Sequence, residues 1–93
     1  MKTIVVQIGN SDDKLSQRTW ALFILDVKKV MELYCKDIHF SGGSSPTSIW
    51  QNYCIVGSVQ PTLLDLVYDK LFTLTVKYKQ DSIAVTTGDT KFI

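Results

Sequence analysis

Apolar and polar positions alternate near the start of the chain. Ile4, Val6 and Ile8 fall on one face and Thr3, Val5 and Gln7 on the other, which predicts a strand over residues 3–8 ended by Gly9-Asn10. From Trp20 the period changes. Trp20, Phe23, Ile24, Val27, Val30, Met31 and Tyr34 recur at spacings of three and four, the pattern that lays one continuous apolar stripe along a helix. Ser16 is the expected N-cap, with Ser11 and Asp13 as earlier alternatives, and Lys28, Lys29 and Lys36 suit the negative end of the helix dipole. Leu22, Leu25 and Leu33 lie off the stripe and leave a second flank half covered.

A short strand is predicted over 37–41, followed by the turn-rich run from Gly42 to Thr47 and a longer strand over 49–59. Pro61 suits the first position of a second helix, along which Leu64, Val67, Leu71, Leu74 and Tyr78 repeat at helical spacing. Its end, Thr73 to Tyr78, is rich in residues that favour strands. Ile83 and Val85 alternate in a strand over 82–87, and Gly88-Asp89 is placed to turn a short fifth strand, Lys91 to Ile93, back along it.

The order strand, helix, strand, strand, helix, strand predicts one α+β domain over 1–93. It is that of a ferredoxin-like split β-α-β two-layer sandwich with a four-stranded antiparallel sheet. With right-handed crossovers, the third strand inserts between the first two and the fourth lies outside the first. Three connections then gather at one end: 9–16, 42–48 and 79–82. With both helices on one face, the other face of the sheet stays bare. The third strand offers it either Trp50, Asn52, Cys54 and Val56 or Ile49, Gln51, Tyr53 and Ile55, a choice the alternation leaves open. Such a face favours a homodimer.

The crowded end is where a site is expected. Gly9, Gly42 and Gly43 let a ligand approach the main chain, and the start of the first helix carries unpaired N–H groups. Asn10, Ser11, Asp12, Ser44, Ser45, Gln80 and Asp81 add polar groups. Trp50 offers a stacking face and Gln51 or Asn52 an amide, a combination suited to a nucleobase. His39, the single histidine, sits on a strand beside Phe40. Its expected role is structural, and its nearness to this end gives it a place among the ligand contacts.

Charge and chemistry narrow the classes. Ten basic residues against nine acidic give a formal charge of +1, which disfavours general binding of nucleic acid or an anionic membrane. The run from Gly9 to Lys14 lacks the second glycine and the Gly-Lys-Ser/Thr ending of a phosphate-binding loop. Cys35 and Cys54 have no metal or redox spacing and read as reduced thiols. Asp12, Asp13 and Asp81 have the oxygen ligands for a divalent ion, yet paired acids at a helix start are more simply explained by the helix dipole, so no metal or cofactor is expected. A nucleophile set drawn from Ser44 or Ser45, His39 and Asp81 has nothing in its spacing to select it, and a non-enzymatic protein is expected. The first residues turn polar too early for a secretory signal, and no apolar run reaches the length of a membrane span, so a cytosolic location is expected.

The passages Ile8 to Leu15, His39 to Ser45, Trp50-Gln51-Asn52 and Gln80 to Ala84 together resemble small proteins carried by phages and mobile elements, across most of the chain. The resemblance carries no assigned activity. It implies a host-directed role in the host cytoplasm, such as counter-defence by sequestering a nucleotide or cyclic-nucleotide signal intact. The other class of function consistent with the residues is a protein-interaction module, inhibiting or bridging a host protein through the open sheet or the Leu22, Leu25 and Leu33 flank.

Overall fold

Each change of period in the sequence becomes a change of element. The computed structural model describes residues 1–45 and 47–93, Ser11 by its backbone alone. Its elements are β1 (Lys2–Gly9), α1 (Gln17–Tyr34), β2 (Cys35–Gly43), β3 (Asn52–Val59), α2 (Leu64–Lys77) and β4 (Ala84–Gly88), with 3₁₀ turns at Ser11–Asp13 and Pro61–Leu63. The strands form one sheet in the order β2-β3-β1-β4, every neighbouring pair antiparallel. β1 and β2 therefore run parallel with β3 between them, and β4 lies outside β1, the arrangement expected from the order of elements.

One apolar cluster holds the layers together. Ile4, Val6 and Ile8 of β1 and Ile55 and Val59 of β3 meet Trp20, Phe23, Val27 and Met31 of α1 and Val67, Leu71 and Leu74 of α2. Fully burying a side chain of this size contributes about 1.5–3 kcal/mol. The helices cross-link at their polar edge, where the Tyr78 hydroxyl donates to Asp26 Oδ2 at 2.5 Å and Lys77 Nζ lies 3.0 Å from the same oxygen. The Tyr78 hydrogen bond is the main cause that holds the Asp26 carboxyl below its ordinary range, and it outweighs the opposing effect of burial.

The core decides which face of β3 is buried. Ile55 and Val59 point to the helices, so Asn52, Cys54, Val56 and Ser58 lie on the uncovered face. Gly57 belongs to the buried set because Cys35 and the Asp37 carbonyl lie against it.

Several expectations need correction. β3 starts at Asn52 and not at residue 49, because Ile49 and Trp50 have no core to enter and stand exposed in the preceding loop. β4 begins at Ala84, two residues later than expected. The fifth strand is not formed: residues 91–93 have no regular structure, and the segment before them is tied down by side chains, Lys2 to Asp89 at 2.9 Å and Thr3 to Thr90. No basic residue occupies the last turn of α1. Lys28 and Lys29 come too early and Lys36 is already in β2, which follows the helix with no intervening loop.

Candidate ligand site

The expected pole exists, and it is organised around Asn10. Directly after β1, the Asn10 side chain closes on the backbone of Leu15: Leu15 N–H donates to Oδ1 at 2.9 Å, and Nδ2 donates to the Leu15 carbonyl at 3.0 Å. This closure accommodates Asp12 and Asp13, both in the left-handed region with φ of 53° and 54°. Asn10 Nδ2 also donates to Gln51 Oε1 at 3.0 Å, while Asn10 N–H donates to the Gln51 carbonyl at 3.1 Å. Gln51 in turn pairs with Gln17 in the first turn of α1. Gln51 Nε2 donates to Gln17 Oε1 at 2.7 Å, and Gln17 Nε2 donates to Gln51 Oε1 at 3.2 Å.

The third wall is the β2–β3 connection. Ser44 N–H donates to the Asn52 carbonyl at 3.0 Å, and Ser44 Oγ accepts from Asn52 N–H at 3.1 Å. Gly43 has no room for a side chain here, since a Cβ would stand 2.5 Å from the Asn52 carbonyl oxygen. Ser45 Oγ lies 3.0 Å from Thr47 Oγ1, and Pro46 falls outside the described residues. Ser16 caps α1, its hydroxyl accepting from Thr19 N–H at 3.2 Å.

These walls enclose a hollow of about 270 Å³ lined by Gln17, Trp20, Ala21 and Ile24 of α1 and by residues 43–45 and 51–53. Trp20, Ile24 and Tyr53 give its lining an apolar part, and Gln17, Ser44, Ser45, Gln51 and Asn52 bring hydroxyls and amides. Among the described residues, neither an acidic nor a basic side chain lines it.

Of the expected contacts, Gly43, Ser44, Ser45 and Gln51 line this hollow. Asn10 sits behind Gln51, with its polar atoms engaged by the protein itself. Gly9 precedes it at the end of β1. The side chain of Ser11 lies outside the described residues. Asp12 is exposed on the far side of the loop, and Lys14 approaches both Asp12, at 3.9 Å, and Asp81, at 3.6 Å. Its ammonium thus stands between these two carboxylates. Among the described residues no group of His, Cys, Asp or Glu is arranged to hold a metal ion.

The remaining expected contacts are elsewhere. Trp50 is 78% exposed and is not among the described residues around this hollow; the tryptophan that borders it is Trp20, which at 7% exposure belongs to the core, as the apolar stripe of α1 predicts. Gly42 pairs with Cys54 on the uncovered face, where a Cβ would press on the Phe40 ring. Gln80 is buried and finishes α2: its N–H donates to the Thr75 carbonyl and its side chain to the Tyr78 carbonyl. Asp81 lines a different and larger hollow, about 420 Å³, between α2 and the β4 edge beside Tyr68, Phe72 and Ile83. That hollow is a groove beside an open sheet edge and brings none of the expected amides or serines together.

His39 is misplaced by the largest margin. Its Nε2 lies 2.7 Å from Ser58 Oγ near the other end of β3, six residues or roughly 20 Å along the strand from Asn52. A nucleophile set of Ser44 or Ser45, His39 and Asp81 is therefore not assembled. Sequence reading also passed over Gln17 and Tyr53. The available sign for Gln17 was its place next to the cap, and for Tyr53 its alternation with Gln51 on one face. The chain matches no model of a known protein family, and no curated protein matches it.

Proposed function

We propose that the protein is a non-enzymatic binding protein of ferredoxin-like topology that holds a small planar ligand, such as the base of a nucleotide, at the head of α1. The observation that carries this reading is the hollow of about 270 Å³, lined in part by Trp20 and Tyr53 and by the Gln17–Gln51 amides. At about 270 Å³ the hollow falls just below the range of about 300–1,000 Å³ that holds drug-sized molecules, which limits it to something as small as a base and part of a sugar. With no cation among the described residues of its lining, phosphates belong outside it, toward the N–H groups that open α1. Sequestration of a nucleotide-derived signal, the role implied by the resemblance to phage-borne proteins, is the biological form of this reading.

Thermal shift against nucleosides, nucleotides and cyclic nucleotides tests it. A true ligand at 100 times its Kd adds about 2.7 kcal/mol, several degrees in so small a domain. Ligand recovered unchanged after heat release supports sequestration. No shift across the panel, or recovery of a converted product, rejects the reading.

A second reading has its own observation. Phe40, Val56, Val5 and Thr86 stand in register across the uncovered face of all four strands, and Phe40 is 55% exposed. This band suits a second copy of the chain, giving a dimer whose ligand hollows remain open on the helical side.

A further inference from the structure

The Gln17–Gln51 pair has a property that depends on the ligand-binding reading and makes it more specific. The orientation of every amide in the relay is dictated from the backbone. Leu15 presents one donor and one acceptor to Asn10, at 2.9 and 3.0 Å, so the Asn10 carboxamide fits only one way round. Asn10 Nδ2 then donates to Gln51 Oε1, and turning Gln51 over would set two N–H groups against each other. Gln51 is buried at 7% exposure, and thus presents toward Gln17 a fixed edge of one N–H donor beside one carbonyl acceptor. Gln17 is exposed on the first turn of α1 and meets that edge with its own carboxamide.

We propose that this edge is the specificity determinant of the hollow and that Gln17 occupies it in place of the ligand. A ring carrying a lactam, with an N–H beside a carbonyl as in keto nucleobases, presents the same donor and acceptor as the Gln17 carboxamide. Such a ring displaces Gln17, pairs with Gln51 and rests on Trp20. Gln17 is free to leave because, among the described residues, its side chain hydrogen-bonds only to Gln51, whereas Gln51 is held from behind by Asn10. The hollow is therefore closed to rings that lack either the donor or the acceptor, because they would leave buried Gln51 with an unmet hydrogen bond.

The test uses uridine and inosine with their N-methylated counterparts, N3-methyluridine and N1-methylinosine, which keep the ring and lose the donor. Binding is followed through the side-chain amide resonances of Gln51 in wild-type protein and in Gln17→Ala. Alanine favours helix at this position, and circular dichroism checks that the variant keeps its fold. The expected result is that uridine or inosine shifts the Gln51 amide. That nucleoside binds roughly tenfold more tightly to Gln17→Ala, where the competing pair is gone, and its methylated form binds at least tenfold more weakly to both proteins. Equal binding of parent and methylated nucleosides overturns the edge while leaving the hollow as a binding site. Weaker binding by Gln17→Ala overturns displacement, because Gln17 would then be a contact and not a competitor. No binding of any of the four compounds to either protein rejects this inference alone, and the ligand reading is then decided by the wider nucleotide panel.

Discussion

Asn10 illustrates how a polar loop residue is committed by its neighbours. Its side chain is 8% exposed and bridges Leu15 and Gln51, so it holds the connection after β1 against the start of β3. Asn10→Asp keeps the size but replaces two donated hydrogen bonds by repulsion from the Leu15 and Gln51 oxygens. The expected cost is about 2–3 kcal/mol in urea unfolding at neutral pH. Trp50→Ala, at an exposed position, is the control and should stay within about 0.5 kcal/mol. Tyr78 and Asp26 make the second residue-scale prediction. The lowered Asp26 carboxyl contributes stability above its ordinary value of 3.8, and this is lost as pH falls through the lowered folded value. Burial, then Asp26, pushes the Tyr78 phenol above its ordinary 10.0, so its contribution is complete below that value and lost as pH rises through the folded one. Tyr78→Phe should cost about 2 kcal/mol at pH 7. The wild-type advantage should shrink as pH falls below 3.8 toward the lowered folded value of Asp26, which chemical unfolding across the acid range would show.

At the scale of elements, hydropathy spacing anticipated most of the outcome. The stripe from Trp20 to Tyr34 is the buried and half-buried face of α1, and Ser16 is its cap. α2 remains helical through Lys77 despite its β-branched end, because Leu74 and Tyr78 carry the same stripe into the core. Element ends were less legible, since they depend on where partners stop. β2 extends from Cys35 to Gly43 because it has β3 to pair with, and two register shifts, at Cys35/Asp37 and Ile38/Phe40, let it curve past that partner. Gly57 of β3 faces this irregular stretch: a Cβ there would lie 2.8 Å from the Asp37 carbonyl and 3.1 Å from Cys35 Sγ. Gly57→Ala should therefore cost about 1–3 kcal/mol, lowering Tm by several degrees in a thermal melt. Gly88→Ala, with open space around it, should leave Tm almost unchanged.

For the whole molecule, the consequence of one core is one covered face. α1 and α2 occupy the same side of the sheet, and the band formed by Phe40, Val56 and Val5 is left to solvent. If that band joins two copies, Phe40→Asp should convert a dimer to a monomer in light scattering after size exclusion, with the fold retained by circular dichroism. A wild-type monomer at micromolar concentration would reject the dimer. Among the described residues no helix is long and apolar enough to cross a membrane.

Local pattern by itself determined the order of elements, their apolar faces and the pole where the three connections gather, because spacing and chain direction are properties of neighbouring residues. Only the tertiary structure decided which face of β3 is buried, that Trp20 and not Trp50 borders the hollow, and that Asn10 and Gln51 bond to each other. It also carried His39 to the far end of the sheet. Those outcomes depend on which groups meet across the fold: a side chain's composition states what it can bond, but its partner is chosen by the packing that brings distant segments together.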